Sequence, residues 1–215
     1  MNVNTLEDAQ YAWAMGHLLV LYTQVDQFIM EACAARIASA PTQRARMGLA
    51  KQVGDECRHV EIQKQWMGEF GVNPAAVIDS QALEQLHDHF RQLDWADFLT
   101  DLYLVIEALG SQAVEQLVPL ADPGTRESLR IPLQDELDHV AFGMSELRNA
   151  LAEMDAQQRR ERLANIPHRI QALTRYLQQL EVPVADWFEE VGTDYPNLCA
   201  TLDQRKSQLL TELAA

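Results

Sequence analysis

Positive charge is scarce in this chain. Its 215 residues hold 17 Lys and Arg against 32 Asp and Glu, a formal charge of −15. So acidic a surface disfavours a phosphate backbone or an anionic membrane, and neither nucleic acid nor membrane is expected as a partner. The densest basic run, Arg159, Arg160 and Arg162, reads as a solvated helix face. Cysteine is sparse too. Cys33, Cys57 and Cys199 are odd in number and irregularly spaced, which argues against a disulfide framework and fits a reducing, cytoplasmic setting. No Lys or Arg precedes Arg36, so the basic start of a secretory signal is missing. No window reaches about 18 uninterrupted apolar residues, so no transmembrane span is expected. Clear β-strand alternation and low-complexity segments are also absent.

What the chain does contain is 47% hydrophobic residues, enough for one domain with a full core. Nine Gly and eight Pro fall between long apolar runs of helical period. A first helix is predicted from about Leu6 to Ser39, with Met15, Leu19, Tyr22, Ile29 and Cys33 on its inner face. Pro41 ends it, and Thr42 can cap a second helix running to about Phe70. A shorter helix is expected over Pro74 to Phe90, then a third long helix from Trp95 to Val118. The fourth is expected over Pro123 to Met154, with its regular part starting at Pro132. Helical material continues from Gln157 to Leu180, and Pro183, Gly192 and Pro196 punctuate a less regular tail. The predicted fold is thus all-α: a four-helix bundle over residues 1–155, with a helical C-terminal extension, residues 156–215, packed on the same domain.

Two short motifs stand out. The second helix carries Asp55-Glu56-Cys57-Arg58-His59, and the fourth carries Asp135-Glu136-Leu137-Asp138-His139. Composition alone predicts roughly 0.03 copies of Asp-Glu-x-x-His in such a chain. Residues i and i+3 share a helix face, so one carboxylate and one imidazole can grip the same ion. Both motifs fall on apolar inner faces, where unpaired charge would cost several kcal/mol and a cation would offset that cost. Two motifs call for two more carboxylates, one from each remaining helix. Glu107 lies 29 residues before Glu136 on the third helix. The matching position on the first helix falls near Gln27, and Asp26 continues the face of Met15, Leu19 and Tyr22. The expected metal ligands are therefore Asp26, Glu56, His59, Glu107, Glu136 and His139. Four carboxylates balance two divalent ions, and two neutral imidazoles complete the set.

The remaining polar residues of the motifs have expected roles as well. A metal-bound histidine usually donates its second N–H to a carboxylate. Asp55 is expected to hold His139, and Asp135 to hold His59, across the bundle. Arg58 and Asp138 occupy equivalent places with opposite charges and could bridge the helices. Tyr22 and Tyr103 each precede a ligand carboxylate by four residues. They are expected one turn from the metals, as core packing or as hydrogen-bond partners of the ligands.

These residues resemble the ferritin-like di-iron carboxylate superfamily: four helices, a carboxylate on two of them and Glu-x-x-His on the other two, matched here over about Met15 to Leu147. Ala40-Pro41-Thr42, Ala50-Lys51 and Asp55–His59 are similar to the catalytic subunit of phenylacetyl-CoA epoxidase. The wording Asp-Glu-x-Arg-His also resembles bacterial multicomponent monooxygenases. Many relatives carry Glu on the first helix; Asp26 resembles ribonucleotide reductase small subunits, and so short a ligand is expected to bind one metal or to leave one site weaker. The resemblance implies an oxygen-activating non-haem di-iron oxidase or oxygenase acting on a small organic substrate by hydroxylation, epoxidation, desaturation or N-oxygenation. It implies two iron ions (or a Mn/Fe pair), O2 as co-substrate, a ferredoxin or flavin reductase as electron donor, and a monomer or homodimer. Two rival readings are a ferroxidase or iron-handling protein and a non-catalytic ferritin-like subunit of an oxygenase complex.

Overall fold

The structure is a computed structural model that describes residues 8–71 and 76–214. Side-chain caps decide where most of its helices start. Helix α1 (Ala9–Arg36) opens at Asp8, whose carboxylate accepts from the backbone N–H groups of Gln10 and Tyr11 at 3.0 and 3.3 Å. A 3-10 turn, Ile37–Ser39, follows it, so the α-helix stops short of the expected Ser39. Leu6 lies outside the described residues. Helix α2 (Gln43–Phe70) is capped by Thr42, whose hydroxyl accepts from Ala45 N–H at 3.0 Å. It ends at Gly71, which takes the left-handed conformation at φ 64° that a helix C-terminus favours.

Helix α3 (Ser80–Gln92) begins at its Asp79 cap; the expected start at Pro74 lies outside the described residues. The third bundle helix is not regular, contrary to expectation. It runs as α4 (Trp95–Leu99), a π-helical segment (Thr100–Glu107) and α5 (Ala108–Leu117). Helix α6 (Pro123–Ala152) starts at Pro123 and runs through Pro132, correcting the expected late start. Asp122 accepts from Gly124 and Thr125 N–H at 3.0 and 3.2 Å, and a proline at the first helical position loses no helical hydrogen bond. Tyr11 donates to Asp122 at 2.8 Å and so ties the start of α1 to the start of α6. Beyond the bundle come α7 (Ala156–Gln178), α8 (Val184–Glu190) and α9 (Tyr195–Ala214). The extension, expected to be helical with a less regular tail, carries two further helices, α8 and α9, in that tail.

Helices α1 and α2 pack along each other, α6 packs against α2 and the π segment, and α7, α8 and α9 lie against the π segment, α1 and α5 respectively. Among the described residues there is no strand, and no helix is long and apolar enough to cross a membrane. The apolar interior falls into two clusters. One holds Phe28 to Cys33 of α1, Leu49 of α2, most of the π segment and Val140 to Leu151 of α6. The other holds Tyr11 to Val20 of α1, Met67 of α2, Val114 and Leu117 of α5 and Leu129 of α6. Between them every bundle helix contributes buried polar or charged side chains, including Asp26, Glu56, His59, Glu107 and His139. Burying charge in a seam between two apolar layers is costly unless something compensates it.

Candidate metal centre

The seam assembles from side chains at helical spacing. On α2, Gln52, Glu56, His59 and Gln63 step by four, three and four, so they stack along one face. All four are buried, His59 completely. Oxygens and nitrogens of Asp26, Glu56 and His59 come within 4.8 Å of one another, and those of Glu56, Glu107 and His139 do the same. Glu56 belongs to both groups. Glu136 belongs to neither, although its Oε2 is buried without a hydrogen bond and its carboxyl feels the charges of Asp26 and Glu107. Asp26, the short carboxylate, joins one group only.

The two imidazoles are turned the same way. His139 Nε2 lies 3.1 Å from Asp55 Oδ2, and His59 Nε2 lies 3.1 Å from Asp135 Oδ2. Each aspartate thus holds the histidine of the opposite motif. An Nε2–H donated outward leaves Nδ1 as the inward lone pair. His59 Nδ1 is 3.0 Å from Glu56 Oε2, and His139 Nδ1 is 3.3 Å from Glu56 Oε1 and 3.8 Å from Glu107 Oε2. Outside this pair of contacts, Lys51 donates to Asp55 at 2.8 Å. Arg58 donates to Asp135 and lies 3.6 Å from Asp55 Oδ1. Arg58 therefore pairs with the two leading aspartates, not with Asp138 as the matched positions suggested, because both aspartates turn inward across the α2–α6 contact while Asp138 stays exposed.

Two glutamines escaped the sequence reading. Gln52 donates to Glu107 Oε1 and, at 3.4 Å, to Glu56 Oε1. Tyr103 donates its hydroxyl to Gln52 Oε1 at 2.6 Å, which sets the amide so that its NH2 faces the glutamates. Gln63 donates to Asp26 Oδ2 at 2.6 Å. The signal was present: both are polar residues one turn outside the Glu56–His59 motif, on a face otherwise reserved for the core. Tyr103 itself fits only because position 143 is glycine, since a β-carbon there would collide with its ring.

The electrostatics of the metal-free protein are those of crowded buried charge. Burial first, and the Glu56 charge second, hold Asp26 well above its ordinary value. Burial, then Glu56, pushes Glu107 up to about 7. Burial, then Asp26 and Glu107, raises Glu136 strongly. Burial alone would lower the histidines, but the adjacent carboxylates outweigh it: Glu56 raises His59, and Glu107 with Glu56 raises His139 to about 11. Tyr22 is raised by burial, then by Glu136 and Asp26, and its buried hydroxyl has no hydrogen-bond partner.

Tyr22 also lines a cavity of about 270 Å³ between α1, the π segment, α5 and α7. Its wall is aliphatic and aromatic, with Val25, Phe28, Ile106 and Leu177 among the lining residues. The hydroxyls of Tyr22 and Thr174, both without partners, are the polar side-chain groups on that wall.

Oε2 of Glu107, Oε2 of Glu136 and Nδ1 of His139 are buried and make no hydrogen bond. Buried polar atoms are nearly always satisfied, so orphaned polar atoms converging among four carboxylates are the donor set a pair of cations takes. Two divalent ions would neutralise the four carboxylates and occupy those atoms, so the residues present fit a two-metal centre.

Comparison with known proteins follows the same line. The family model described as "Ferritin-like domain, actinomycetes" matches residues 9–181. A protein with aldehyde deformylating oxidase activity from Synechococcus superimposes with a TM-score of 0.80 at 18% identity, over 99% of this chain and 94% of its own. R2-like ligand-binding oxidase with aerobically reconstituted Mn/Fe cofactor gives a TM-score of 0.66 at 11% identity, over 97% and 84%. A variant of that oxidase with anaerobically reconstituted Mn/Fe cofactor gives 0.64 at 12% identity, over 98% and 82%. At these identities the likeness is one of fold. No curated protein matches the chain in sequence.

Proposed function

The chain belongs to the family of ferritin-like domains, and from that premise we propose that it is an oxygen-activating non-haem di-iron (or Mn/Fe) oxidase or oxygenase acting on a small apolar organic molecule. One observation carries the reading: two overlapping buried ligand triads beside an apolar cavity, with Tyr22 next to the carboxylates and on the cavity wall. Asp26, Glu56 and His59 would hold one ion, and Glu56, Glu107 and His139 the other, with Glu136 adjacent to both. When bound, such a metal pair supplies the electrons and Lewis acidity that activate O2.

This chain's own residues do the rest. Asp55 and Asp135 fix the imidazole tautomer, so that Nδ1 is the nitrogen presented inward. Gln52 takes one oxygen each of Glu107 and Glu56, Gln63 takes one of Asp26, and the second oxygen of each carboxylate is left to face the centre. The cavity wall excludes water and binds the substrate by its apolar surface. The Tyr22 hydroxyl is placed to orient a polar end of that substrate toward the carboxylates. The named oxidases of like fold support this reading. The balanced electrons call for an external donor, a ferredoxin or a flavin reductase. Three free cysteines fit the cytoplasm, with the protein acting as a monomer or homodimer.

The test is anaerobic ferrous loading followed by O2 and reductant in the presence of aliphatic aldehydes or hydrocarbons. The reading expects two irons per chain, O2 uptake and an oxidised organic product. Iron oxidation with mineral growth and no organic product would favour the iron-handling alternative. Iron at trace levels would sink both.

A further inference from the structure

Glu107 reaches the centre from the last residue of the π-helical segment, and Tyr103 lies in its middle. Hydrogen bonds from i to i−5 add a residue to a helical turn, and one added residue rotates everything after it by about 100°. The direction of the Glu107 carboxylate therefore depends on how this segment is wound. All eight of its side chains are buried, so apolar patterning favours no one rotation over another. Something else must set it.

Asp101 is charged, lies within the segment and is only 1% exposed. Arg169 of α7 donates Nε to its Oδ1 at 3.0 Å and Nη2 to its Oδ2 at 2.6 Å. His89 of α3 places Nε2 2.7 Å from the same Oδ2. Arg169 also donates Nη1 to Asp97 at 2.9 Å, and Arg162 of α7 reaches Asp97 and Asp94. Asp94, Asp97 and Asp101 follow i, i+3, i+7, a single helix face. Helix α7 thus grips one face of this helix from its cap into the π segment. None of these groups belongs to either metal triad.

We propose that Asp101, held by Arg169 and His89, is a positioning clamp that fixes the rotation of the π segment and so aims Glu107 at the second metal triad. The inference rests on the metal reading of the centre. It gives the C-terminal extension a role in metal binding without contact with metal, and that role is specific to one ion.

Anaerobic Fe(II) titration of the full chain tests it, with Asp26→Ala isolating the second triad and Glu107→Ala isolating the first. In the Asp26→Ala background, Arg169→Gln or Asp101→Asn is expected to weaken iron binding at least tenfold, Arg169→Lys to recover most of it, and the milder His89→Gln to cost a few-fold. In the Glu107→Ala background the same changes leave affinity within twofold. Arg91→Ala, which removes an exposed ion pair with Glu84 and Asp88, changes neither. Hydrogen–deuterium exchange of the metal-free protein gives a second readout: Arg169→Gln speeds exchange across residues 100–107 and leaves α2 unchanged. Equal weakening of both triads, or unaltered affinity with only a lower melting temperature, overturns the clamp. If the unmodified protein binds no iron, the metal reading has failed; the exchange arm still decides the clamp, and unchanged exchange at 100–107 overturns it.

Discussion

One half of the centre rests on two uninterrupted α-helices, Asp26 on α1 and Glu56 with His59 on α2; the other takes Glu107 from the end of a π-helical segment and His139 from α6. Their outer contacts are reciprocal, with Asp55 on His139 and Asp135 on His59 at equal distances. Their inner contacts are not. Glu56 joins both triads, and its counterpart Glu136 joins neither. Equivalent motifs thus give equivalent second contacts but unequal first ones. The two remaining carboxylates come from unlike backbones, Asp26 from regular α1 and Glu107 from the end of the π segment, and each joins one triad only.

The largest expected effect follows from that asymmetry. Glu56→Ala should lower iron from two per chain to nearly none, whereas Glu136→Ala should lose less; elemental analysis after gel filtration compares them, and equal losses would make the halves symmetric. Next, Asp26→Ala and Glu107→Ala should each leave one tightly held ion, and each should abolish the proposed oxidase activity. Smaller still, Asp55→Asn and Asp135→Asn should each cost about 10–100-fold in metal affinity, the range for losing a histidine's supporting carboxylate. The two losses should match, because the two pairings match; a difference beyond a few-fold would break the reciprocity.

The smallest effect is on metal-free stability against pH. His139 keeps its proton up to about 11 in the folded chain, against an ordinary 6.5, and Glu107 keeps its own up to about 7, against 4.5. Both bind protons in the folded chain that the unfolded chain has released, so stability falls as pH rises. The His139 contribution is fully present below about 6.5 and is lost on approaching 11; Glu107 acts with the same sign between 4.5 and 7. Melting of the metal-free protein should therefore drop by several degrees from pH 7 to pH 10. Iron loading should flatten that slope, because the ligand histidine is neutral. A slope of the opposite sign, or one untouched by iron, contradicts the account.

Much of this was legible from the chain because it is local. Thr42 announces the start of α2, and the cross-bundle histidine–aspartate pairing follows from one offset within each motif. Asp26 stands out as the candidate because it continues the α1 face one residue from the position that matches Glu107. The π segment could not be read, because a run buried on every side has no polar face to betray its period. Gln52 and Gln63 were missed because neutral amides at single positions carry no motif. The partners of Arg58 and the long helix α9 depended on tertiary contacts that spacing does not encode.

The central claim is that two ions share Glu56. Anomalous diffraction from iron-loaded crystals tests it most directly. Two peaks are expected, one against Asp26, Glu56 and His59 and one against Glu56, Glu107 and His139. A single peak, or peaks away from these side chains, would contradict it.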